Sequence, residues 1–273
     1  MSVKVIILRT AGTNCDKETA FAFERAGAST ELIHINAMRN KEKSLSEYQI
    51  LAIPGGFTYG DDIASGKIVA NELRFKLKDS LVRFISEGKL IIGICNGFQI
   101  LVKSGLLPNL SGDYKTIETT LTLNDSDKFE DRWVHLKSVK HKSKSEKLKT
   151  ENTKCVWTRG LKDIVYLPVA HGEGKFIPRD RSILKRLRDD GLIVFEYSDS
   201  SGRRSGYPHN PNGSVENIAG ICDQTGRVFG LMPHPERHIH YSQHPAWTRS
   251  NHRGDGDGLA IFKNGVDFAK KHL

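Results

Sequence analysis

Three runs of branched apolar residues constrain this chain most: "VKVIIL" (3–8), "YQILAI" (48–53) and "KLIIGI" (89–94). A strand with one wet face alternates apolar and polar residues, whereas an unbroken apolar run belongs to a strand covered on both faces. Helical patterns separate the runs. "DKETAFAFERAG" (16–27) offers Asp16 as an N-cap and Gly27 as a stop. "ELIHI" (31–35) reads as a further strand, "NELRFKLKDSLVRFISEG" (71–88) as one helix ending at Gly88, and "GFQILVKSG" (97–105) as another helix. Alternating strands and helices predict a three-layer α/β fold, a mostly parallel central sheet with helices on both faces. Ligands of such sheets gather at the carboxyl ends of the strands. The loops "PGGFTYGDD" (54–62) and "CNGF" (95–98) fall there.

The second half is less regular. Strands are expected within 163–174 and 192–199, and "IAGICDQTGRVFGLM" (218–232) reads as a hairpin turning at Thr225-Gly226. These form a smaller antiparallel elaboration, and "GLAIFKNGVDFAKKHL" (258–273) closes the chain as an amphipathic helix. With no repeat and no clear linker, one domain over 1–273 is expected, carrying a basic edge insertion near 124–160. No apolar run approaches the roughly 18 residues that span a membrane, and "MSVKVIILRT" reads as a first strand rather than a signal peptide. The expectation is a cytoplasmic protein with no membrane partner. Four widely spaced cysteines, with no Cys-x-x-Cys pair, argue against a disulfide framework and a cysteine-rich zinc site. The net charge is +9, and "KSVKHKSKSEKLK" (137–149) holds six lysines against one glutamate. Nucleic-acid readers interleave aromatics with arginines; this run does not, and it reads as a solvated or partner-touching face. An acidic protein or a small anion fits the charge as well as a nucleic acid does.

The chemistry centres on Gly93-Ile94-Cys95-Asn96-Gly97. Small residues two places either side of a cysteine, at a strand-to-helix turn, form a nucleophile elbow. The turn lifts the sulfur above the sheet, the amide of Asn96 can stabilise an oxyanion, and the helix N-terminus favours thiolate. The same pattern also suits a small buried cysteine at a tight turn. A thiol nucleophile needs a base, and the base needs an orienting group. Two stretches supply both: His171-Gly172-Glu173 and His234-Pro235-Glu236, the second stiffened by proline. A metal site is a rival reading, from His234, His238, His240 and His244 with the carboxylates of "GDGDG" (254–258). Cys15, in "TNCDKE", reads as part of a turn and cap, structural or lining the site.

Taken together, "PGGF", "GICNGFQIL" and "MPHPER", in that order, resemble the class I (triad) glutamine amidotransferases, which share a flavodoxin-like sheet. "GTNCDKETAFAFERAGA", "AHGEGKF" and "YPHNPNGSVENIAGICDQTGRV" narrow the likeness to the glutaminase subunits of phosphoribosylformylglycinamidine synthase. The likeness runs along almost the whole chain and is weakest over 124–165. It implies Cys95 as nucleophile toward the glutamine side-chain amide, His234 as proton relay and Glu236 as its orienting group. It further implies oxyanion donors at Gly55, Gly56 and Asn96, a substrate-holding role for Gln99, and no metal. ATP and Mg belong, on this likeness, to a large synthetase subunit, joined by a small third subunit. No Gly-x-x-x-x-Gly-Lys-Ser/Thr loop occurs in this chain, in keeping with that division. Two other readings stand beside it: a cysteine-elbow hydrolase or protease-like protein acting on another amide, and a non-catalytic binding module using the positive charge.

Overall fold

In the computed structural model, which describes residues 2–140, 153–249, 251 and 253–273, the three apolar runs lie side by side. The first half of the chain runs β1 (Lys4–Arg9), α1 (Asp16–Arg25), β2 (Ser29–His34), α2 (Ile35–Arg39), β3 (Ile50–Ile53), α3 (Lys67–Lys76), α4 (Lys78–Ser86), β4 (Leu90–Ile94) and α5 (Asn96–Lys103). The second half adds β5 (Thr119–Thr122), β6 (Glu130–Ser138), β7 (Ile164–His171), β8 (Lys175–Pro178), α6 (Arg181–Asp189), β9 (Ile193–Ser198), β10 (Ile218–Cys222), β11 (Val228–Leu231) and α7 (Leu259–His272). Among the described residues, nine strands form one sheet in the order β2-β1-β3-β4-β11-β10-β9-β6-β7. The five from β2 to β11 pair in parallel. Beyond β11 every pairing is antiparallel, so only β10 and β6 run against the rest. One consequence governs the site: β3, β4, β7 and β11 all end at the same edge.

Burial explains the unbroken runs. Every residue of β3 and β4 is buried, because helices cover both faces. On one face α1 packs against α7, with Phe23 edge-on to Phe262 at 4.9 Å between ring centroids. On the other, α5 is buried along its whole length, with Phe98 stacked at 6.1 Å on Phe176 of β8. β8 pairs with β5 in a separate two-stranded antiparallel sheet.

Three local readings differ from this structure. Asp16 is the first helical residue rather than the cap; Cys15 occupies the cap position, without a side-chain cap bond, and Asp16 pairs with Arg9 at 2.5 Å. The 71–88 pattern is two helices, broken at Leu77 (φ −121°). α3 packs on α5 while α4 packs on the turn at Leu45–Glu47, two targets that one straight rod does not serve. The stretch 124–160 contributes β6, which lies one strand in from the sheet edge between β9 and β7. Of the lysine-rich run 137–149, residues 141–149 lie outside the described residues. Gly27 and Gly88 do end their helices, at φ +86° and +83°. Among the described residues no helix is long and apolar enough to cross a membrane.

Candidate active site

The elbow is forced by its neighbours. β4 ends at Ile94 and α5 begins at Asn96, leaving Cys95 alone at the turn with φ +51° and ψ −106°. That backbone is unfavourable for any residue carrying a Cβ and stores about 1–3 kcal/mol of strain. Both flanking glycines are sterically required. A Cβ on Gly97 would sit 1.9 Å from the Ile53 carbonyl oxygen, and one on Gly93 2.5 Å from the Gly97 oxygen. The Cys95 N–H donates to Leu231 O at 2.8 Å, tying the elbow to the strand that leads to His234.

His234 follows β11, and its N–H donates to Pro168 O on β7 at 2.8 Å. Its Nδ1 meets Glu236 Oε1 at 2.6 Å, and both side chains are buried. The thiol and the imidazole converge over a bare glycine. A Cβ on Gly55 would lie 2.8 Å from His234 Cε1, 3.0 Å from Cys15 Sγ and 3.5 Å from Cys95 Cβ. Burial works against a charged His234, yet the Glu236 carboxylate first, then the nearby Cys95 and Cys15 sulfurs, outweigh it, and its pKa is raised well above the ordinary imidazole value. Cys95 Sγ contacts Ala170 O at 3.7 Å. Asn96 opens α5, so its N–H is one of the donors that a helix leaves without an internal partner. Gly55 and Gly56 follow β3 at the same edge of the sheet.

Other candidates fall differently. Gln99 uses both polar ends within the protein: Oε1 accepts from Asn96 Nδ2 at 2.9 Å, and Nε2 donates to Glu173 O at 2.6 Å. It therefore braces the elbow helix against the loop after β7. His171 and Glu173 do not form a dyad. His171 Nδ1 and Nε2 face Asn124 Oδ1 and Asn212 Nδ2 at 3.2 and 3.4 Å. Burial, with the His234 charge adding to it, lowers its pKa to about 3. The Glu173 carboxylate instead accepts from Ser65 N–H at 3.2 Å and from Lys103 at 3.4 Å.

Cys15 is closer to the centre than a cap requires. Its sulfur, Glu18, His234 and Glu236 bring ligand atoms within 4.8 Å of one another. Arg237 already serves that group, donating to Cys15 Sγ at 3.2 Å and Glu18 Oε1 at 2.9 Å, so the protein's own cation stands where a metal would. Burial first, then Glu236, pushes the Cys15 thiol up to about 11 and keeps it protonated. The rival metal set does not bring its ligand atoms to one point: the His238 and His244 rings come within 5.8 Å, but His238 Nδ1 turns to Tyr166 O, His240 to Ser242 and His244 Nδ1 to the Ala246 N–H. The sequence did not reveal Arg237 or the part-buried Asp61–Ser65–Lys103–Glu173 network beside α5. Their only signal is "GDD" and "GEG" in glycine-rich loops at the strand ends.

Residues 2–269 match the family described as CobB/CobQ-like glutamine amidotransferase domain. The chain is 48% identical over 98% of both chains to "Phosphoribosylformylglycinamidine synthase subunit PurQ" of Dehalococcoides mccartyi. It is 41% identical, again over 98% of both, to the PurQ subunit of Methanococcus maripaludis. Among solved structures, a chain of PurLQS from Thermotoga maritima superposes with a TM-score of 0.71 at 28% identity, covering 98% of this chain and 99% of that one. The chain belongs to the CobB/CobQ-like glutamine amidotransferase family, within the branch of the PurQ subunits of phosphoribosylformylglycinamidine synthase.

Proposed function

We propose that this chain, as a single glutaminase domain, hydrolyses L-glutamine to glutamate and delivers the ammonia to a synthetase subunit. That subunit would use ATP and Mg to convert formylglycinamide ribonucleotide to the amidine, in de novo purine biosynthesis in the cytoplasm. The observation that carries the reading is the meeting of Cys95 with the His234–Glu236 pair across Gly55. The Cys95 sulfur attacks the side-chain amide carbon, and its proton passes to His234. The developing oxyanion is met by the Asn96 N–H and the Gly55-Gly56 turn, a kind of donor worth about 3 kcal/mol. His234, held cationic by Glu236, returns the proton to the nitrogen as the C–N bond breaks, and ammonia leaves. Water, deprotonated by His234, then hydrolyses the thioester and restores the thiol. The Thermotoga relative was solved as PurLQS; by analogy this chain works with a large synthetase subunit and a small third subunit.

The test is Cys95→Ala assayed in the assembled complex. Glutamine-dependent synthesis is expected to fall to background while synthesis from added ammonium salt continues. Loss of both activities would place Cys95 in folding or assembly rather than chemistry.

A further inference from the structure

The segment after the catalytic turn builds a second cleft that the glutaminase chemistry leaves unused. It has a volume of about 220 Å³ and opens between the β7 edge and the 3-10 turn Tyr241–Gln243. Its walls are rings. Tyr166 and His244 stand 5.3 Å apart, Tyr241 and Trp247 6.3 Å, and Trp133 backs His238 at 5.0 Å. Flat rings set around a small cleft favour a flat occupant, by stacking.

The polar groups specify an edge. His238 Nδ1 donates to Tyr166 O at 2.7 Å, and burial keeps the ring below the ordinary imidazole pKa, so Nε2 remains an acceptor. His244 Nδ1 accepts from the Ala246 N–H at 3.0 Å, so its Nε2 carries the proton and donates. One imidazole therefore offers an acceptor and the other a donor. At the rim Lys162 pairs with Asp257 at 2.7 Å, and Asp257 also accepts from the Tyr166 N–H at 2.8 Å. The two charges cancel, and the cleft asks for no net charge on its occupant. Mostly ring-lined clefts with a few placed polar groups are the usual form of a small-molecule site.

We propose that this cleft binds a neutral, planar heteroaromatic ring of nucleobase size, stacked against Tyr166, His244 and Trp247 and read along one edge by the two imidazoles. Trp247 lines the cleft, Trp133 lies behind its His238 wall and Trp157 is fully buried in the core, so tryptophan emission reports occupancy. Adenosine and inosine titrated into the full chain are expected to give saturable quenching. His244→Ala, at a partly exposed turn position, is expected to weaken that binding by about tenfold or more, while Cys95→Ala leaves it unchanged. Quenching that stays linear to the solubility limit of both nucleosides would overturn the proposal, and so would saturable quenching that His244→Ala does not weaken.

Discussion

At the scale of single residues, the buried Glu236 carboxylate does more than aim a ring. His234 is enclosed, and burial alone would strip its charge; Glu236 is the largest of the influences that reverse this. The protonated imidazole is the form that can hand a proton to the departing nitrogen, so activity is lost as pH rises through the raised His234 pKa. Removing the carboxylate charge lowers that pKa, and the loss then begins at lower pH. In Glu236→Gln the alkaline limb of the pH–kcat profile is expected to move down by about 1–3 units, with kcat reduced by about 10²–10⁴. A limb that stays in place while kcat falls would mean that Glu236 orients His234 without setting its charge.

At the scale of elements, the elbow joins β4 to α5 through one strained residue between two glycines that nothing else can replace. Cys95→Gly and Cys95→Ala both remove the nucleophile, yet only glycine relieves φ +51°, ψ −106°. Glycine gives back about 0.5–1 kcal/mol through its freer unfolded chain, against about 1–3 kcal/mol of strain released. Cys95→Gly is therefore expected to be the more stable inactive variant, by about 1 kcal/mol in urea unfolding. The reverse order would show that the turn is not strained. The elbow was legible in the sequence because its steric demands are local: Gly93 and Gly97 leave a signature that spacing alone displays. The doubly covered strands were legible for the same reason. β6, "EDRWVHLKS", was not, because one place from the sheet edge it alternates buried and part-exposed positions and carries charge that suggests a loop. The break at Leu77 was hidden because α3 and α4 continue one apolar period across it. The Lys103–Glu173 pairing joins residues seventy positions apart, and nothing local distinguishes either from a surface charge. Cys95 and His234 lie still further apart in the chain and are linked in the sequence only because each carries its own motif.

At the scale of the whole molecule, His171 ties together the loops that feed the antiparallel half of the sheet. It ends β7, and its ring lies between Asn124, ahead of β6, and Asn212, ahead of β10. Asn124 also takes the Gly174 N–H and donates to His171 O, and Asn212 reaches Tyr197 on β9. This network suits the neutral ring. With Nδ1 donating to Asn124, Nε2 must accept from Asn212, so a second proton would face an amide donor beside an already cationic His234. The folded chain therefore holds His171 neutral down to about pH 3, whereas the unfolded chain protonates it near pH 6.5. Between those values the unfolded state binds the extra proton, so His171's contribution is complete above about pH 6.5 and shrinks as pH falls, by about 1.4 kcal/mol per unit at the steepest. His171→Gln keeps a hydrogen-bonding side chain but does not titrate. Its unfolding free energy, measured in urea from pH 7 to pH 4, is expected to fall more gently than that of the parent chain by that amount. The carboxylates common to both proteins cancel in the comparison, so equal slopes would mean that the acid sensitivity of this fold lies elsewhere than in the imidazole that joins these loops.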